Sequence, residues 1–473
     1  MKRLEARNGG QVGLAALVAI LLLGLGLRLD YAWEGRAPVY DAAAYARIAA
    51  NLNHGDGFTL GDAATQPASN YSPGLPLLVS GLYELSEGVH ERFARLVLAL
   101  IGSLSVLFAY LIGRRLAGPI AGLIGAGAVA IYPALLEYQG MLMSEPLAAM
   151  LLSGAVLAML WADGTGPAIS ARGSCRGGRG ALRAGSSSTP LPPRHPRVRW
   201  LVPGLLLGAL ALTRPEYLAI SLPIAVVVLA HHGWNGWRDG SVQAIVLLVG
   251  LAMVIAPWTI RNAVALDRFV PVSTGGGQVL FSGTYMPSGG DPERVGEEVL
   301  KRHPDLRRQL PADPRLEQIL AGLAAQRYPD LESDAALARM GRERLWDDLS
   351  ERPLDYPGFV AAKIGQIWSH GPRDVMREPV WAALHWAMIA FGLLGLIVLA
   401  WKRRWEALLL GAVLVAVTAI GALLVASPRR ALVAMPLVAA LAGVGLIWLE
   451  GTLVERRRPS RAGASSADSL SQP

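Results

Sequence analysis

The sequence predicts an all-α polytopic membrane protein, and three observations lead there. Of 473 residues, 52% are hydrophobic and only 17% charged, with a mean hydropathy of +0.37. The apolar residues come in long uncharged runs rather than at amphipathic spacing, which is how a helix surrounded by lipid is written. The basic residues between those runs collect on alternate loops, as the charge rule for membrane topology requires.

The runs are Gln11 to Leu27, Leu96 to Gly113, Leu116 to Tyr132, Leu147 to Ala162, Trp200 to Thr213, Tyr217 to Ala230, Ser241 to Ile260, Val380 to Ala400, Ala407 to Ala426 and Ala431 to Leu449. About ten spans are therefore expected, most near the roughly 20 residues needed to cross a bilayer. Lys2, Arg3, Arg7, Arg114, Arg115, Arg238, Lys402, Arg403, Arg404 and Arg456 to Arg458 then fall on one side, as does the Arg-rich loop 163–199. That side is read as cytoplasmic, with both termini on it. The net charge of +8 is a topology signal, and a nucleic-acid partner is not expected. The first run reads as an uncleaved anchor because no clear small-residue cleavage site follows it. One cysteine, Cys175, excludes an intramolecular disulfide.

The expected organisation is a cytoplasmic N-terminus (1–10), an N-terminal transmembrane module (11–260), an outer-face segment (261–378), C-terminal transmembrane helices (379–450) and a disordered cytoplasmic tail (451–473). The first module includes an outer loop at 29–90 and a Gly/Ser/Arg/Pro-rich loop at 163–199, also expected to be disordered. Within the outer loop, Asp41 to His54 reads as an interfacial helix with Tyr45, Ile48 and Leu52 on one face and Arg47, Asn51 and His54 on the other. Pro73 to Tyr83 is apolar but too short to span, so it dips into the leaflet or packs on the bundle. In the outer-face segment, helical patterns cover Pro314 to Arg327 and Ser333 to Ser350, and Phe359, Lys363 and Trp368 mark an interfacial helix.

Charges next to spans are the most informative signal, because an ionisable side chain at membrane depth is costly unless partnered. Asp41, Glu145, Arg214 with Glu216, Arg261, and Arg429 with Arg430 all map to the outer ends of different spans. The two runs around Thr213-Arg214-Pro215-Glu216 have only about 14 apolar residues each, roughly 21 Å of helix against a core of about 30 Å. Their turn should be sunken, and Arg214 there needs an anion, either Glu216 or a lipid phosphate. Each charge also has a plain structural reading. Asp41 before three alanines is a good N-cap, Ser144-Glu145-Pro146 is an ordinary helix start, and Arg429-Arg430 suit headgroup anchoring.

Other motifs carry less. Gly275-Gly276-Gly277 lacks the Lys-Ser/Thr of a nucleotide loop, Asn70-Tyr71-Ser72 matches a glycosylation sequon by spacing alone, and His231-His232 and His385 have no companion ligands for a metal.

Asp41 with Tyr45, Ser72-Pro73-Gly74-Leu75-Pro76, Ser144-Glu145-Pro146, Leu212-Thr213-Arg214-Pro215-Glu216, Pro257-Trp258-Thr259-Ile260-Arg261-Asn262 and Ser273-Thr274-Gly275 resemble the GT-C membrane glycosyltransferases. The resembling branch is the protein-mannosyltransferase-like group that includes the lipid A aminoarabinose transferase, and the likeness runs from about Gln11 to Leu449. It implies a GT-C-like bundle, a plasma-membrane location, and transfer of a sugar from a polyprenyl-phosphate donor to a cell-envelope acceptor at the outer face. It further implies that Asp41, matching the acidic residue of the first outer loop, serves the reaction. This chain has Ala42 and Ala43 where many relatives carry a second acidic residue, so no metal site is assigned and a divalent cofactor stays open.

The chemistry fits those residue types. A carboxylate at Asp41 can take the acceptor's proton, and preorganised arginines can stabilise the departing phosphate. The expected roles are Asp41 as base, Arg214 with Arg429 or Arg430 as phosphate binders, Arg261 as a lesser candidate, and Tyr45, Glu145 and Glu216 as supports. The competing readings are a transporter or flippase for lipid-linked glycans, which would place its site near the midplane on two related halves, and a glycan ligase or polymerase, which would have to hold two phosphates.

Overall fold

A computed structural model of the protein describes all residues except 1, 36–37, 39, 62–65, 165–196, 232, 234–235, 290 and 458–473. Of the loop and the tail expected to be disordered, 165–196 and 458–473 lie outside the described residues, while 451–457 continue the last helix and 197–199 form a helical turn. Among the described residues the secondary structure is helical apart from one two-residue antiparallel ladder that pairs Thr59 with Pro67 and Leu60 with Gln66.

All ten apolar runs form helices, but length divides them. Seven are long and apolar enough to cross a membrane: Gln11–Glu34, Glu91–Ala117, Ser144–Ala162, Trp237–Leu266, Pro379–Trp401, Trp405–Leu423 and Met435–Val454. A bent pair, Pro119–Ala130 and Pro133–Gln139, turns by 52° and makes an eighth where it is one span. The protein is thus a multi-pass, all-α membrane protein, with seven or up to eight spans by length and composition among the described residues, rather than the ten expected. The two remaining runs are the short arms Leu201–Thr213 and Pro215–His231, joined at Arg214.

Pro133 causes the break in the bent pair, since it lacks an N–H to continue the ladder. The carbonyls freed there are met by a buried cation from another span. Arg28 donates to Val129 O at 3.1 Å and Ala130 O at 3.4 Å, and to Gly24 O in its own helix at 2.9 Å.

Burial identifies the axis of the bundle. The apolar stretch of Ser144–Ala162 is 83% buried against 11% for Gln11–Glu34, so the former runs through protein and the latter along the perimeter. It packs on Glu91–Ala117 and Leu201–Thr213. The first residues of this axial helix are Ser144 and Glu145, which places a carboxylate at the centre of one end of the bundle.

The two long non-spanning segments gather at that same end. Asp41–His54 packs on Gly74–Leu85, which in turn packs on Glu91–Ala117 and Leu201–Thr213. Gly74 is required here: a Cβ would come within 2.6 Å of Thr213 Oγ1 and 2.7 Å of its backbone nitrogen. The expectation that Asn51 faces away from the protein fails. Asn51 is buried and donates to Thr59 O, Thr59 Oγ1 and Gly61 O, holding the loop beyond the helix.

Residues 276–351 build a small helical core of their own from Phe281, Tyr285, Val295, Val299, Leu320, Leu323 and Leu337. The glycine triplet is explained by this packing. Gly275 has φ 92° and caps Gly276–Thr284, while Gly277 leaves room for Ser333–Glu351, whose Asp334 Oδ1 accepts from Gly277 N at 2.8 Å. The expected interfacial anchor at Asp355–Trp368 also turns inward. Phe359 is buried, Trp368 donates to Thr418 Oγ1, and Lys363 is only 1% exposed, donating to Gly283 O and Leu424 O at 2.7 Å each. Two carbonyls aimed at one amine, not a bilayer surface, fix that side chain.

Candidate active site

Six of the charges picked out in the sequence meet in one network at the head of the axial helix. Arg429 Nη2 lies 3.2 Å from Asp41 Oδ2 and 2.7 Å from Glu145 Oε1. Glu145 Oε1 also accepts from Arg214 Nη1 at 3.0 Å. Arg214 continues to Glu216 through Nε at 3.0 Å and Nη2 at 2.9 Å, and Glu216 Oε1 lies 3.3 Å from Arg430 Nη1. The order is acid, arginine, acid, arginine, acid, arginine, so each charge faces the opposite sign.

Four elements supply it. The helix Asp41–His54 brings Asp41, and the axial helix brings Glu145. The sunken turn between the short arms brings Arg214 and Glu216, and the single helical turn Pro428–Leu432 brings Arg429 and Arg430. Ser427 caps that turn by accepting from Arg429 N, and Tyr217 donates from its hydroxyl to Arg430 O at 2.9 Å.

Both acids stand in the first turn of their helices, where a carboxylate suits the dipole, but neither helix start has a side-chain cap. Asp41 is the first residue inside its helix, the N-cap is Tyr40, and no side-chain cap bond forms. At the axial helix the N-cap is Met143, again without a side-chain cap, and Ser144 Oγ instead accepts from Arg214 at 3.5 Å. Both carboxylates are turned towards arginine.

Exposure is concentrated at the Asp41 end of the network. The Asp41 and Arg429 side chains keep 45% and 34% of their surface, Arg214 and Glu216 13% and 15%, and Glu145 none. Burial is the largest influence on Arg429 and opposes its charge, but Glu145, Tyr138 and Asp41 together raise the guanidinium pKa above its usual value. Tyr45, one turn after Asp41, has its phenol pushed well up by burial first and by the Asp41 charge second. It stays neutral, and its ring meets Tyr71 edge-on at 5.9 Å.

Arg261 stands apart. Its guanidinium lies over Trp258 at 4.9 Å and Phe58 at 5.7 Å, and Nη1 donates to Asn262 Oδ1 at 3.1 Å. The motif around it holds the chain leaving the span. Trp258 donates to Val272 O, Thr259 to Pro271 O, and Asn262 to Val270 O and Val272 O.

The sequence reading missed Tyr138, whose ring lies 5.7 Å from the Arg429 guanidinium and 5.8 Å from that of Arg373. Arg373 in turn pairs with Glu137. No spacing signal marks Tyr138, since its role arises from the 52° break that tips Pro133–Gln139 towards the site. His385 and His231, set aside as metal ligands, have other partners: Tyr132 hydroxyl at 2.7 Å and Asp163 at 3.0 Å.

The donor set does not suit a divalent ion. Asp41 and Glu145 share Arg429, Glu145 and Glu216 share Arg214, and among the described residues no group of three His, Cys, Asp or Glu side chains could hold a metal.

Solved structures share this architecture. The chain aligns with the archaeal oligosaccharyltransferase AglB from Archaeoglobus fulgidus in complex with an inhibitory peptide and a dolichol-phosphate, at TM-score 0.56 and 18% identity, over 94% of this chain and 51% of that one. The A. fulgidus oligosaccharyltransferase tethered with an acceptor peptide containing the NVT sequon gives 0.53 and 17%, over 94% and 50%. ArnT from Cupriavidus metallidurans bound to undecaprenyl phosphate aligns at only 0.39 and 15%, over 91% and 77%, too low a score to bear on the fold. No protein-family model and no curated protein matches the sequence. The chain has the GT-C fold of membrane glycosyltransferases, and it spans about half the length of the archaeal enzymes it matches.

Proposed function

We propose that this chain is a membrane glycosyltransferase of the hexosyl or pentosyl class. In this reading it moves a sugar from a polyprenyl-phosphate donor to a cell-envelope lipid, glycan or protein at the outer face of the cytoplasmic membrane, with both termini inside. The observation that carries the reading is the direct pairing of Asp41 with Arg429 at the accessible end of an otherwise buried charge network. The fold adds support, because a neighbour with the same fold was solved with a dolichol-phosphate.

The pairing suggests how base and phosphate site are coupled. A donor phosphate reaching Arg429 competes with Asp41 for the guanidinium and frees the carboxylate. Arg429, backed by Arg214 and Arg430, meets the charge that grows on the phosphate oxygen as the glycosidic bond breaks. The acceptor oxygen or nitrogen bonds to the anomeric carbon from the opposite face, with inversion, and Asp41 takes its proton. The polyprenyl phosphate leaves with the electron pair.

Lipid extracts of a strain lacking the gene test this. One polyprenyl-phosphate sugar should accumulate, and the purified chain in bilayers should consume it. Unchanged lipid-linked sugars, together with no consumption by the purified chain, would refute the proposal.

A further inference from the structure

Directly before Asp41, the backbone does something a tyrosine rarely does. Tyr40 has φ 51° and ψ −125°, a region that essentially only glycine enters without strain. Its ring gains nothing from the fold in return, because the residue is 90% exposed. A strained backbone presenting a bare aromatic ring beside a functional carboxylate calls for a reason outside the folded chain.

The surroundings supply one. Tyr40 and Arg429 form one side of a cleft of about 780 Å³, whose other side is built from the separate core, by Glu297, Lys301, Asp313 and Leu316 among others. That volume lies within the roughly 300–1,000 Å³ of small-molecule sites. Its lining mixes carboxylates, cations, an aliphatic floor and one exposed aromatic ring. Carboxylates accept hydrogen bonds from hydroxyls, and an aromatic face takes up the C–H face of a pyranose or furanose ring. A lipid tail would gain nothing from Glu297 or Asp313.

We infer that this cleft seats the sugar of the donor, with the Tyr40 ring as its stacking platform and Glu297 and Asp313 as acceptors for its hydroxyls. The inference rests on the proposed transferase reading and goes beyond it: the specificity for the sugar lies in Tyr40 and in residues 297–313.

The test uses the full chain in nanodiscs and measures binding of undecaprenyl phosphate, bare or carrying one of a panel of hexoses and aminopentoses. The ratio of sugar-bearing to bare affinity is read in each variant. The wild type should prefer one panel member over the bare lipid. Tyr40→Gly and Tyr40→Ala should each cut that preference about tenfold, the size of one lost specific contact, while Tyr40→Phe retains it. Because glycine fits the observed φ and ψ, Tyr40→Gly should melt no lower than the wild type, so a lost preference is not a folding defect. A wild type that discriminates alongside a Tyr40→Gly that discriminates equally overturns the inference and leaves the transferase reading standing. A wild type that binds every lipid alike also overturns the inference. Failure to bind even the bare lipid defeats the transferase reading and the inference with it.

Discussion

In the buried part of the charge network, Glu145 has no exposed surface and two arginines share one of its oxygens. At the outer end, Asp41 pairs with Arg429 alone, and the two side chains keep 45% and 34% of their surfaces open. The same chemical groups therefore do different physical work. Buried partners cannot exchange for water, so the pairing there is an obligation of the fold. An ion pair open to solvent contributes little to stability and can exchange its partner for a ligand. Rigidity sits in the buried part and adaptability at the outer end, where the proposed donor would arrive.

Substitutions at the two ends should separate these roles. Glu145→Ala leaves Arg214 and Arg429 without their shared anion and should cost about 3–5 kcal/mol of stability, read as a large drop in the melting temperature of the purified protein. A melting temperature close to wild type would mean the buried end is not the structural one. Asp41→Asn should do the reverse. Turnover should fall about 10²- to 10⁴-fold, the range for a general base, with stability changed by less than about 1 kcal/mol. If turnover survives, Asp41 is not the base and the contrast between the ends has no catalytic meaning.

A smaller effect sharpens the comparison from outside the network. Lys363, buried like Glu145 but paired only with carbonyls, has its pKa lowered from 10.5 to about 8, chiefly by burial and then by Arg430. Between those values the unfolded chain keeps a proton that the folded chain has lost, so stability rises as pH increases through about 8 towards 10.5. A neutral amine still has two N–H groups for its two carbonyls. Thermal melts from pH 7 to 9.5 should show this rise, and Lys363→Met should flatten it. An equal slope in the variant would assign the titration to another group.

The sequence made some of this legible and hid the rest for identifiable reasons. Charge inside or beside an apolar run is visible in one dimension, which is why Asp41, Glu145, Arg214, Glu216, Arg429 and Arg430 could be named before any coordinates. The shortness of the arms around Arg214 was equally visible. Their pairing was not, since Asp41 and Arg429 lie 388 positions apart and local patterns carry no information on such distances. Asn51 and Lys363 were misplaced for a related reason. Both sit on helices outside the spans, where a polar side chain was assumed to face water or headgroups. Lys363 instead satisfies carbonyls left open at two helix ends, and Asn51 satisfies carbonyls of the loop that follows its own helix. Tyr40 was overlooked because strain belongs to dihedral angles, which no residue type announces.

Gly74 shows how the two ends are joined mechanically. With no space for even a methyl group against Thr213, the first loop and the sunken turn are seated like two faces of one machined part. Neither can slide without the other, so the loop carrying Asp41 is referenced to the turn carrying Arg214 through a contact of atomic tolerance. Whatever moves when a ligand enters must then lie on the far side of that joint, in the few residues around Tyr40 and Arg429.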